Sequence, residues 1–134
     1  MIEIQVSYQG QKHCRLQHGP SGSVIETDAP KDNQGLGEAF SPTDLLAASL
    51  GSCLLTIMAM KAEADGLSFA GAKARVEKHM GAAPRRVAKL VCHMSLPASL
   101  PEDYRSALEA AGMGCPVKNT LGNLVDFDIK FEYV

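Results

Sequence analysis

The sequence predicts an α+β fold of order βββ-α-ββ-α-α-β. Three observations carry that prediction. Strand-like alternation comes in runs, not one strand per helix as a doubly wound sheet requires. One long apolar segment, "SPTDLLAASLGSCLLTIMAMKAEADG" at 41–66, has a clear helix start and stop. The chain has 134 residues, which fits one domain spanning 1–134 with a moderate core.

In the first stretch Ile2, Ile4, Val6 and Tyr8 point one way and Glu3, Gln5 and Ser7 the other, the period of a strand. "QGQK" turns the chain into a second strand carrying Cys14, Leu16 and His18, and "HGPSG" turns it into a third at 24–27. Such short connections predict an antiparallel meander. Residues 29–40, "APKDNQGLGEAF", form a loop long enough to be a functional candidate.

The apolar helix follows. Ser41 caps it, Pro42 suits its first position, Asp44 completes a Ser-x-x-Asp box, and Gly66 ends it. Two alternating strands come next, with Ala72, Ala74, Val76 and Met80 on one apolar face and Ala88, Leu90, Cys92 and Met94 on the other. "SLPEDYRSALEAAG" is a second helix, capped by Ser99 or entered through Pro101, with acids in its first turn. "CPVKNTLG" gives one or two further helical turns. The last strand buries Val125, Phe127, Ile129, Phe131 and Tyr133. The long helix is apolar nearly all round, so it must be covered on more than one side. That predicts an antiparallel sheet packed on a central buried helix, and an intertwined homodimer to cover the rest.

Composition excludes several classes. A formal charge of −2, with no basic stripe and few aromatic residues, offers nucleic acid no footprint. "MIEIQVSYQGQ" has no secretory pattern. The apolar run at 45–60 is shorter than the ~20 residues of a membrane span, and Ser49, Gly51 and Ser52 interrupt it. It reads as a core helix. No partner membrane is expected, and the four cysteines are expected as thiols in a reducing cytoplasm. The histidines, His13, His18, His79 and His93, show neither CxxC nor HExxH spacing, so no metal site is expected.

Cys92, between Leu90 and Met94, reads as apolar filler, as does Cys14 beside Leu16. Cys115 precedes a proline that opens a helix, where free backbone N–H groups favour a thiolate, and Lys118 adds a cation one turn on. Structural and functional readings of Cys115 both stand on those residues. Cys53 lies too deep in its helix for the dipole to help. The small residues around it in "SLGSC" are unusual for plain core and leave space beside the sulfur, at a helix cost of roughly 1 kcal/mol for Gly51.

Together "SPTDLLAASLGSC" and "GCPVKNTL", with the element order, resemble the OsmC/Ohr family of thiol peroxidases along essentially the whole chain. The resemblance implies an intertwined homodimer, no cofactor, and reduction of organic hydroperoxides. It implies that Cys53 attacks the peroxide and Cys115 resolves the product to a disulfide, which an external dithiol reduces. The chain departs from the family pattern in two places. The loop before the helix has no arginine, and Thr43 stands where a glutamate is expected. Asp44 or Glu38 is then the candidate acid, and Arg15 or Lys31 the candidate cation. The competing expectation is a non-catalytic dimer that binds an apolar small molecule in a cysteine-lined cleft.

Overall fold

A computed structural model describes residues 1–134. It resolves into two compact units, Met1–Leu46 and Ala47–Val134, and the long helix begins in the first and continues into the second.

In the first unit β1 (Ile4–Gly10), β2 (His13–His18) and β3 (Val24–Asp28) form the expected antiparallel meander in the order β1-β2-β3. Cys14 pairs with Tyr8 on one side and Thr27 on the other, and His13 pairs with Asp28. The apolar face of β1 is present as predicted, but Ile2, Ile4, Val6 and Tyr8 are all exposed in the single chain. Loop 29–41 contains one 3-10 turn, Lys31–Asn33. It is tied back to β3 through Asp28 N–H donating to the Phe40 carbonyl (3.1 Å) and Gly37 N–H donating to that of Ala29 (3.2 Å). Gly35 is required there, because a Cβ would sit 1.7 Å from the Ala29 carbonyl oxygen.

Helix α1 (Pro42–Ala64) starts with the predicted reciprocal cap. Ser41 N–H donates to Asp44 Oδ2 at 2.9 Å, and Asp44 N–H donates to Ser41 Oγ at 3.1 Å. Two otherwise orphaned helix-start donors are thereby satisfied. Ser41→Ala is expected to cost about 1 kcal/mol, measured by urea denaturation.

The second unit holds β4 (Lys73–Gly81), β5 (Arg86–Leu96), α2 (Glu102–Met113), α3 (Pro116–Leu121) and β6 (Asp126–Tyr133). Its sheet has the order β4-β5-β6. β4 and β5 are antiparallel, but β5 and β6 are parallel, in contrast to the all-antiparallel sheet expected. The chain between them runs through α2 and α3, and such a crossover returns it to the starting end of the sheet. A bulge between His79 and Met80 pairs Met80 with Val87, so Val87 is buried ahead of Ala88. The core gathers Leu50, Leu54 and Met58 of α1, Leu90, Cys92, Met94 and Leu96 of β5, and Leu108 of α2.

Helix α1 buries one stripe, Ala47, Leu50, Gly51, Leu54, Met58 and Ala62. Ala48, Ser52, Thr56 and Met60 remain exposed. At 23 residues and hydropathy 1.7 it is longer than the apolar run suggested, and it meets the length and apolarity of a membrane span. Its buried stripe nonetheless packs against β4 and α2, as a core helix does. A Cβ at Gly51 would lie 2.8 Å from Val76 Cγ2, so Gly51 lets α1 approach β4 closely. That corrects the expectation that this glycine leaves space beside the sulfur. Gly112 does the same for α2, with Met58 Cγ at 2.9 Å from the Cβ position. The end of α1 is held to α2 by Tyr104, whose hydroxyl donates to Asp65 Oδ2 at 2.6 Å.

On the polar face of the second sheet Glu77 receives Arg75 Nη1 at 2.6 Å, with His93 Nε2 at 3.2 Å and His79 Nε2 at 3.4 Å. Arg75 first, then the His79 hydrogen bond, hold the Glu77 carboxyl down at about 2 from its ordinary 4.5, against partial burial. A carboxyl lowered on folding adds stability that is full above its unfolded pKa and lost as pH falls through the folded one. Unfolding free energy is therefore expected to decline between pH 4.5 and about 2, and Glu77→Gln to flatten that segment of an acid titration.

Candidate functional site: a thiol pair

The second unit brings together the two cysteines singled out in the sequence. Cys53 comes from the middle of α1, where it borders the buried stripe and is itself only partly covered. Cys115 is the N-cap of α3, directly before Pro116, and is fully buried. Its backbone is fixed on both sides. Cys115 N–H donates to the Gly112 carbonyl at 3.0 Å, and the Cys115 carbonyl accepts from Asn119 N–H at 3.0 Å. The two thiols are close enough to influence each other's charge, and neither is in a disulfide.

Two opposing influences act on the Cys115 proton. Burial pushes its pKa up first, and the neighbouring Cys53 thiol adds to that. The backbone N–H groups of Lys118 and Val117 pull the other way. The cap effect expected from "GCPVKN" is thus present, but burial outweighs it and Cys115 is held as a neutral thiol. Lys118 contributes through its backbone, while its ammonium lies 5.6 Å from the centroid of the Phe127 ring.

Cys92 is filler, as expected. It is fully buried on β5, and its Sγ lies 3.4 Å from Met94 Sδ. Burial raises its pKa to about 11, and the proximity of Cys115 adds to the shift. The sequence had given no sign that a third sulfur stands near the pair, since Cys92 and Cys115 come from different elements. Cys14 lies in the first unit on β2, partly covered.

The assisting candidates Asp44, Glu38, Arg15 and Lys31, and Thr43 at the position where a glutamate is expected, all belong to the first unit, Lys31 at the start of its 3-10 turn. Asp44 is half of the α1 cap, and Thr43 Oγ1 lies 3.2 Å from Ser41 Oγ in the same turn. Arg15 donates from Nη1 to Gln17 Oε1 at 2.9 Å. Glu38 Oε2 is 3.5 Å from His13 Nε2.

Comparison with known proteins concerns the chain as a whole. Residues 35–130 match the family described as OsmC-like protein. The chain is similar to a crystal structure from Psychrobacter arcticus, a protein assigned provisionally to osmotic stress induction and a detoxification response. The TM-score is 0.93 at 39% identity, over 98% of this chain and 96% of that one. It also resembles a Legionella pneumophila organic hydroperoxide resistance protein OsmC at TM-score 0.78 and 18% identity, over 98% and 96% of the two chains. That second likeness concerns the fold. An uncharacterised protein of Acinetobacter baylyi is 27% identical over 133 residues, 91% of each chain. A fold shared end to end and a family match over most of the sequence lead to one conclusion: this chain belongs to the OsmC-like family.

Proposed function

We propose that the protein reduces organic hydroperoxides with its own thiols, Cys53 attacking and Cys115 resolving. The observation that carries this reading is the proximity of two cysteines remote in sequence, one partly accessible and the other buried and held neutral. The Cys53 thiolate attacks the distal peroxide oxygen, the O–O bond breaks, and the alkoxide leaves as an alcohol after taking a proton. Cys53 is then a sulfenic acid. The Cys115 sulfur displaces water from it, forming the disulfide, and an external dithiol returns both thiols. Atoms and electrons balance with no metal, flavin or haem. Leu50 and Leu54, buried one turn before and directly after Cys53 on α1, favour an organic peroxide over hydrogen peroxide.

The same reading includes a homodimer in the reducing cytoplasm, with 1–134 acting as one OsmC-like domain. The uncovered faces support it. The exposed side of α1 and the apolar face of β1 are unpartnered in the single chain, and a second copy is the cover proposed. Thr43 in place of a glutamate, and a loop without arginine, favour the competing reading of a non-catalytic binder. Stopped-flow mixing with cumene hydroperoxide separates the two. The reduced protein is expected to consume one peroxide and lose two thiols per chain. Unchanged thiols would leave the binder.

A further inference from the structure

The geometry points to a divalent transition-metal site in the first unit, made by His13, Asp28 and Glu38. It is independent of the thiol chemistry and shares no residue with the cysteine pair. His13 and Asp28 are a directly paired couple at the end of the β2–β3 ladder, so their side chains emerge on one face. Loop 29–41 brings Glu38 back to them, with its N–H donating to Asp28 Oδ2 at 3.0 Å. The donor atoms of all three side chains lie within 4.8 Å of one another.

Two features distinguish this cluster from an ordinary ion pair. The first is spacing. His13 Nε2 is 3.7 Å from Asp28 Oδ1 and 3.5 Å from Glu38 Oε2. A charge-assisted N–H···O bond closes to about 2.7–2.9 Å, and neither contact does so. Donors sharing one ion at ~2.1 Å with near-tetrahedral angles stand about 3.4 Å apart, close to what is observed. The second is Asp28 Oδ1. Its side chain is 0% exposed, and that oxygen has no hydrogen-bond partner. A buried carboxylate oxygen left without a partner is costly. Here it points toward the imidazole and Glu38, where a cation satisfies it.

One imidazole and two carboxylates balance a 2+ charge and leave a position open for water. The imidazole suits zinc or iron(II), and the two carboxylates also suit manganese(II). An ion there would pin loop 29–41 to the sheet. Spacing in the sequence could not show the site, because its ligands come from a strand start, a strand end and a loop.

Manganese(II) alone is the first probe, because hard Mn2+ avoids the thiols that would also take zinc. Loss of the free-ion EPR signal on chelator-stripped protein is expected to saturate at one ion per chain, and zinc is expected to displace it. His13→Gln and Glu38→Gln are each expected to weaken binding by ~10-fold or more, while His93→Gln changes nothing. Glu38 is 62% exposed, so its variant should keep the fold if His13→Gln does not, and circular dichroism checks both. Zinc binding that Glu38→Gln weakens also sustains the site, even where manganese binds too weakly to saturate. Saturable binding that Glu38→Gln leaves intact overturns it. So does the absence of saturable binding of either ion up to millimolar concentration.

Discussion

Replacing Cys53 with serine is expected to reduce turnover of cumene hydroperoxide by on the order of 10³-fold or more, to the uncatalysed background. A neutral serine hydroxyl is a far weaker nucleophile than a thiolate, and oxygen cannot carry the sulfenic acid on which the proposed cycle depends. Cys115→Ser should behave differently. Its first turnover proceeds, but the sulfenic acid on Cys53 has no thiol to condense with, so it persists and a dimedone adduct adds to the chain mass. Dithiol-driven cycling then falls sharply while a single peroxide is still consumed. Cys14→Ser, in the other unit, should leave both steps unchanged. Turnover that survives Cys53→Ser would remove Cys53 as the attacking residue.

The asymmetry between the two variants follows from where the sulfurs sit. Cys115 is buried and kept neutral, so it is poorly placed to meet an incoming oxidant and well placed to meet its neighbour's oxidised sulfur. Its position before Pro116 was legible in the sequence, because a cap is a local pattern. The net effect on its proton was not legible. It depends on burial, which is set by strands and helices far away in the chain, and that contribution exceeds the local one.

The same division between local and non-local explains the rest. The Ser41–Asp44 box spans four residues and is found as predicted. The meander followed from turns of a few residues. The parallel partnership of β5 and β6 depends on the path of α2 and α3, which no strand pattern encodes. Gly51 looked like space beside the Cys53 sulfur because its closest neighbour, Val76, is brought there only by folding. The cluster of His13, Asp28 and Glu38 escaped notice for the same reason. Fold class was therefore the easiest property to read, and the meaning of individual small or polar residues the hardest.

Leu54→Ala is expected to be the most damaging truncation on α1, at about 2–5 kcal/mol in urea denaturation. Leu54 is fully buried, on the stripe that meets α2 at Gly112. Gly112 has no side chain to move into the vacated volume. Met58, which already touches that glycine, can relax only part of the way, and this keeps the cost within the usual range for a leucine truncation. The loss belongs to the folding of the chain, so it should appear at every protein concentration. Met60→Asp tests the opposite face. Met60 is exposed in the single chain, where a polar substitution costs within about 0.5 kcal/mol. If a second copy covers that face, the buried aspartate must lose its water without gaining a partner, and sedimentation equilibrium should show a shift to monomer with the fold retained. A pair of variants in which only Leu54→Ala has an effect would confine the helix's packing to one side and count against the dimer. Loss of assembly in Met60→Asp, beside a concentration-independent loss of stability in Leu54→Ala, assigns the two sides of one helix to two different tasks.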